Sequence, residues 1–169
     1  MEEIIKKLLD NSNYKLIKSE LSDFSEVYIK KLLENIILYV DSNISLGQME
    51  FVDSCHLEHE LSQEVVGVPS AYSAMDGNIK ALTAFAESYS NLGIAEFDSL
   101  CKEALLDFMN LSNGLFVVEL SQNKVCELSL SVPRQSESYS LSSDINGKII
   151  KIPVNFSYGT ITFILLKTS

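Results

Sequence analysis

Apolar side chains recur at spacings of three and four between residues 25 and 40, at Val27, Ile29, Leu32, Leu33, Ile36, Ile37 and Val40. That period places them on one face of a core-facing helix. Ser25 is the expected cap, since a short hydroxyl side chain accepts from the free backbone amides of a helix start. Residues 1–22 carry a shorter pattern, Ile4, Ile5, Leu8 and Leu9, then a break at Asn11-Ser12-Asn13 and a second brief helical stretch. They are expected to form a helical N-terminal extension, with a single domain over residues 23–169. After Gly47 the period becomes two: Phe51, Cys55, Leu57 and Leu61 alternate with mostly polar neighbours. This predicts a half-buried strand over 49–59, and a second extended run covers 64–74.

Helical spacing returns at Ile79, Leu82, Phe85, Ala86 and Tyr89, after Asp76 and before Gly93, which suits a left-handed helix terminus. A longer helix starts near Phe97 or Asp98, with Leu100, Cys101, Ala104, Leu105, Phe108 and Leu111 on one stripe. Strands are predicted over 125–132, 148–156 and 160–166. Asn146-Gly147 and Tyr158-Gly159 are turn signals, and the last two strands form a hairpin. The order helix, strands, two helices, strands predicts an α+β fold: an antiparallel sheet covered on one side by long helices, built as a loose duplication of a helix-then-sheet unit.

Composition narrows the function. The 169 residues are 46% hydrophobic with only 7 Gly and 3 Pro, which excludes a disordered or low-complexity chain. A net charge of -10 excludes nucleic acid as a partner, because a phosphate backbone selects for clustered Lys and Arg. The excess is concentrated in residues 46–169, with 15 acids against 7 bases, and suits a cation-bearing protein surface. Cys55, Cys101 and Cys126 are odd in number and far apart, so no disulfide framework or Cys-x-x-Cys metal site is readable and a cytoplasmic location is expected. No apolar run approaches the roughly 18 residues of a membrane span, so no membrane insertion or secretion is expected. His56 and His59 lie beside Cys55, but on a strand they point to opposite faces, which separates them as ligands.

The long helix also has a polar stripe: Ser99, Glu103, Asp107, Asn110, then Asn113-Gly114. Spacings of four and three put Asp107 and Asn110 side by side. A carboxylate attracts a cation, while a carboxamide both donates and accepts and so can hold and aim a water molecule. Twenty-two residues separate Asn110 from Pro133 at a predicted strand end.

In these residues the chain resembles the CheC/CheX/FliY family of chemotaxis phosphatases, whose hallmark is Glu-x-x-Asn on a long exposed helix followed by a proline after a further 22 residues. Gly114 falls where that family commonly has glycine, and Glu103 where it has Asp or Ser. The resemblance implies hydrolysis of the aspartyl phosphate of a CheY-type response-regulator receiver domain. In that role Asp107 pairs with the receiver's active-site lysine, Asn110 orients the attacking water, and Glu103 is auxiliary. Mg²⁺ belongs to the receiver, with no cofactor in this chain. Position 107 departs from the family pattern, which has Glu, so the carboxylate is one methylene shorter. The runner-up reading is therefore a non-catalytic receiver-binding adaptor with a degenerate site. A structural oligomer built by edge strands and the N-terminal extension is the third. Offsetting the halves by their strand starts, Met49 and Val125, puts the counterparts of Asp107 and Asn110 at Lys31 and Glu34. One site per chain is then expected, as in the CheX branch. That branch also implies homodimerisation through sheet edges, for which the C-terminal strands are candidates.

Overall fold

The computed structural model describes residues 1–123, 126–143 and 148–168. The N-terminal stretch folds as α1 (Glu2–Asp10), α2 (Tyr14–Ile17) and a 3-10 turn at Lys18–Glu20. Its Ile5, Leu9, Tyr14 and Ile17 are buried in the same hydrophobic cluster as the long helices. The first of these is α3 (Asp23–Tyr39), capped by Ser22 rather than Ser25: Ser22 Oγ accepts the Ser25 amide at 3.2 Å. Ser25 lies inside the first turn, buried.

The strand predicted over 49–59 is broken. After β1 (Ser45–Leu46), β2 (Glu50–Val52) and β3 (Ser54–Leu57) belong to different sheets, and the chain changes sheet at Asp53. The 64–74 run is likewise two antiparallel partners, β4 (Glu60–Gly67) and β5 (Ala71–Gly77), because Pro69 cannot donate to a ladder and marks a turn between them. Asn78 caps α4 (Ile79–Ser90), its Oδ1 accepting from the Ala81 amide at 2.8 Å. The left-handed residue ending α4 is Asn91, φ 54°, two positions before Gly93. Asp98 Oδ1 accepts the Cys101 amide at 3.0 Å and starts α5 (Ser99–Asn123).

Five strands follow: β6 (Leu128–Leu130), β7 (Arg134–Ser136), β8 (Tyr139–Ser142), β9 (Ile149–Phe156) and β10 (Gly159–Lys167). The predicted turn at Asn146-Gly147 and strand start at Val125 lie outside the described residues. The final hairpin forms as expected, Phe156 opposite Gly159. Gly159 has φ +138°, and a Cβ there would stand 3.1 Å from Ala81 Cβ, so the turn requires glycine.

The main sheet runs β1-β9-β10-β5-β4-β6, with β2 also on β9 and β7 also on β4. Alternation assigns its faces. Ile161, Phe163 and Leu165 of β10 and Met75 of β5 face the helices, where Phe85 packs edge-on against Phe108 and Phe156 at centroid distances of 5.0 and 5.5 Å. Such ring pairs add about 0.5–1.5 kcal/mol each beyond burial. Ile164, Leu166, Tyr72 and Ala74 point the other way, into a second cluster with Leu57 and Leu141 of the β3–β8 pair. The central strands are therefore covered on both faces, which a helix-on-one-side reading did not anticipate.

The duplication is a pseudo-two-fold relation centred on the β5–β10 pair. Ser45 and Leu46 meet Asn155 and Val154 of β9 as Ser129 and Leu130 meet Val66 and Val65 of β4. Each outer edge carries a one-residue bulge. Ser131, Val132 and Pro133 oppose Gln63 and Glu64, since the flanking pairs are Val65 with Leu130 and Ser62 with Arg134. Gly47, Gln48 and Met49 oppose Ile152 and Pro153 in the same manner. The C-terminal strands are not edges: β10 lies between β9 and β5, and β9 between β10 and the β1/β2 edge. Their hydrogen-bonding sides are occupied, so the candidate dimer edge moves to β1/β2 or β6/β7.

Burial raises the phenols of Tyr14, Tyr28, Tyr72, Tyr89 and Tyr158 above their ordinary value of 10.0. The fold therefore favours the neutral phenol, and this contribution is complete below pH 10, where the unfolded chain also keeps its protons. It is lost as pH rises from 10 through the higher folded values. We expect the chemical-denaturation midpoint to fall above pH 10, with part of the phenolate absorbance of the 7 tyrosines appearing only on unfolding. A phenolate titration of the still-folded protein that matches the unfolded chain above pH 10 would contradict this.

Candidate functional site

The α5 helix lies across β4 and is pinned at two points. Asn35 of α3 donates through Nδ2 to Ser112 Oγ at 3.1 Å, fixing the helix crossing. One residue on, Asn113 Nδ2 donates to Gln63 Oε1 and to Ser73 Oγ, each at 2.9 Å. Asn113 is thus buried against the sheet and leaves the exposed polar stripe on which its spacing had placed it. Leu100, expected on the buried stripe, is exposed, while Met109 and Phe116 are buried.

Asp107, Asn110 and Glu103 remain on the exposed face of α5. Asn110 Oδ1 accepts from Gln63 Nε2 at 2.8 Å, and the same Nε2 donates to the Ser131 carbonyl at 2.9 Å. A backbone carbonyl only accepts, so the Gln63 amide has a fixed orientation. Asn110 must then turn Oδ1 inward and Nδ2 outward. The chain of bonds is one-directional: Ser73 Oγ donates to the Gln63 carbonyl at 3.0 Å, Asn113 donates to Gln63, and Gln63 donates to Asn110. Gln63, Ser73 and Asn113 are all nearly inaccessible to solvent. Breaking such a network leaves buried groups unpaired, so it holds Asn110 in one rotamer. Nδ2 has no partner among the described residues, and Oδ1 retains a second lone pair. One directional donor therefore faces outward at this exposed amide.

Asp107, one turn earlier, accepts at Oδ2 from the Tyr89 hydroxyl at 2.7 Å. Tyr89 comes from α4, and its ring meets Phe108 edge-on at 5.4 Å. Burial first, then the hydrogen bond and the Asp107 charge, push the Tyr89 phenol up, so it stays a donor at neutral pH. Gln63, Ser131 and Tyr89 are the site residues that sequence reasoning missed. Gln63 had a readable signal, a polar residue two positions from Leu61 and from Val65 on the inward face of a strand.

Pro133 sits in the β6–β7 bulge, where no ladder bond asks for its missing amide. The bulge places the Ser131 carbonyl against Gln63, linking the proline's segment to Asn110 through one side chain. Gly114 is helical, and a Cβ there would meet only Leu130 Cδ1 at 4.0 Å, so packing does not require glycine.

The relation between the halves corrects the expected counterparts. Tyr39 ends α3 as Asn123 ends α5, and the spacing that matches β1 to β6 carries Asp107 and Asn110 onto Asp23 and Glu26, not Lys31 and Glu34. Lys31 and Glu34 instead form an ion pair at 3.3 Å. Glu26 accepts the Tyr14 hydroxyl at 2.8 Å, Ile152 replaces Gln63, and Asn13 exchanges hydrogen bonds with the Met49 backbone at 2.8 and 2.9 Å. The N-terminal segment thus fills the α3 counterpart of the Asn110 face.

His56 Nδ1 lies 3.2 Å from Ser140 Oγ, and the His59 ring packs on Phe97 at 4.8 Å. Among the described residues no group of three or more His, Cys, Asp or Glu is arranged to hold a metal ion, and no helix is long and apolar enough to cross a membrane. Cys101 is buried, Cys55 and Cys126 partly so, and all three are free thiols.

No family model matches the sequence, and no curated protein matches it. Comparison of folds does find relatives. A CheC-like superfamily protein from Shewanella sp. PV-4 aligns with a TM-score of 0.74 at 13% identity, over 88% of this chain and 99% of that one. The chemotaxis protein CheX from Desulfovibrio desulfuricans aligns at 0.69 and 13%, over 86% and 100%. CheX from Borrelia burgdorferi, solved as a CheX–CheY–BeF3–Mg²⁺ complex, aligns at 0.62 and 16%, over 86% and 97%. The chain therefore has the α+β fold of the CheX and CheC-like chemotaxis proteins, the family to which the resemblance at Asp107, Asn110 and Pro133 pointed.

Proposed function

We propose that this protein is a CheX-like phosphatase that hydrolyses the aspartyl phosphate of a CheY-like receiver domain. The observation that carries the reading is the Asn110 amide, locked inward through Oδ1 and presenting Nδ2 beside Asp107 on an exposed helix. A fold relative solved with CheY supports the choice of partner. In this mechanism Asp107 Oδ1 takes the receiver's lysine and Asn110 holds the water in line with the phosphorus. Water adds as the bond from phosphorus to the aspartyl oxygen breaks, releasing the carboxylate and inorganic phosphate. The divalent cation is the receiver's. Such catalysis is positioning, and its strength depends on how little the amide moves. A cytoplasmic location is part of the reading. So is pairing of two copies through β1/β2 or β6/β7, which sedimentation would detect as a dimer.

The test is the decay of a phosphorylated CheY-type receiver with and without this protein. Decay faster than the receiver's own rate supports the reading. Saturable binding with an unchanged phosphoryl lifetime supports instead a receiver-binding adaptor, a reading favoured by the short Asp107 carboxylate, already engaged by Tyr89 on one oxygen. Asp107→Glu adds one methylene, extends the carboxylate past Tyr89 and is expected to raise kcat, read at saturating receiver, several-fold, about 1 kcal/mol of transition-state stabilisation. An unchanged or lower rate would count against equating Asp107 with the family's glutamate.

A further inference from the structure

We infer that Tyr89 is a positioning residue for the docking carboxylate, fixing Asp107 so that one oxygen is held and the other presented to a single partner ammonium group. The inference rests on the proposed receiver reading and deepens it, since it names what makes a short aspartate competent as a docking group. An exposed aspartate on a helix samples several rotamers, and a partner cation must then select one of them. Here Tyr89 Oη, 2.7 Å from Asp107 Oδ2, has already selected it.

Tyr89 is a rigid reference point. Its ring packs edge-on against Phe108 at 5.4 Å, and Phe108 is itself locked against Phe85 at 5.0 Å in the core. The hydroxyl arrives from α4 and the carboxylate from α5, so their contact measures the packing of those two helices. With Oδ2 satisfied, only Oδ1 remains unengaged among the described residues. That geometry leaves Oδ1 wholly open and Oδ2 with one lone pair already used, which suits the point charge of a lysine better than the two-pronged fork of an arginine, which draws on both oxygens. Tyr89 does not touch the reacting phosphoryl group in this arrangement, because Asn110 lies a helical turn further along α5. Its effect belongs to association rather than to the chemical step.

The test is receiver dephosphorylation by the full-length protein, with KM and kcat resolved, for Tyr89→Phe, Asp107→Asn and the double variant. Phenylalanine keeps the ring and its contact with Phe108, so the fold is retained, and circular dichroism of each variant verifies this. Loss of one pre-ordered side chain predicts a KM raised roughly two- to tenfold by Tyr89→Phe, with kcat unchanged. In the Asp107→Asn background, Tyr89→Phe should have no further effect on KM, an outcome that a merely structural tyrosine would not produce. An unchanged KM for Tyr89→Phe, or a loss equal in both backgrounds, overturns the inference and leaves the phosphatase reading standing. Wild-type protein that neither binds nor dephosphorylates a receiver overturns that reading, and this inference falls with it.

Discussion

Replacing Asn110 with alanine is expected to remove accelerated receiver dephosphorylation while leaving receiver binding and the fold in place. The amide Nδ2 faces outward with no described partner, so alanine deletes an outward-facing donor together with one structural hydrogen bond, from Gln63 Nε2 to Asn110 Oδ1. Gln63 Nε2 keeps its bond to the Ser131 carbonyl after the substitution, which limits the stability loss to about 1 kcal/mol. The rate should fall about 100-fold or more, the scale on which positioning errors act. Single-turnover decay of the phosphoreceiver, read beside a binding isotherm, separates these effects. A variant that still accelerates decay at the wild-type rate would remove Asn110 from the mechanism.

Gln63→Leu should damage both stability and rate, although residue 63 is buried and touches no partner. Leucine fills a similar volume but takes away the acceptor for Asn113 Nδ2 and the donor for Asn110 Oδ1 and the Ser131 carbonyl. Ser73 still receives one Asn113 bond, while the Ser131 carbonyl loses its side-chain donor. We expect a cost of about 2–4 kcal/mol in denaturant unfolding, the range for stranded buried polar groups. At temperatures where the variant is folded, kcat should still be reduced, since Asn110 can now rotate. Wild-type unfolding together with a wild-type rate would show that the network does not position the amide.

Local periodicity made the helices legible. The stripes of α3, α4 and α5 and the β9–β10 hairpin emerge from neighbours in sequence, because each buries one face whatever its distant partner is. The β3–β8 cover was not legible, since residues 54–57 and 139–142 read as extended chain wherever they pair. The cap of α3 slipped from Ser22 to Ser25 because both serines precede apolar helical spacing and only geometry shows which amide each serves. At the candidate site, Asp107, Asn110 and Pro133 were singled out by spacing. What orders them was not: Tyr89 read as a core-facing ring, and the destination of its hydroxyl depends on how α4 lies against α5. Gln63 meets Asn110 only once β4 is laid beneath α5.

The placement of Asn13 and Tyr14 bears on valency. A duplicated fold has two equivalent flanks, and two flanks could bridge a pair of partners. Here one flank is closed by the chain's own N-terminal helices, through Asn13 on the Met49 backbone and Tyr14 on Glu26. On the proposed reading the folded chain is therefore monovalent on this fold axis: a receiver would dock on the α5 flank, and crosslinking two receivers into a cluster would need a second copy to supply the other face.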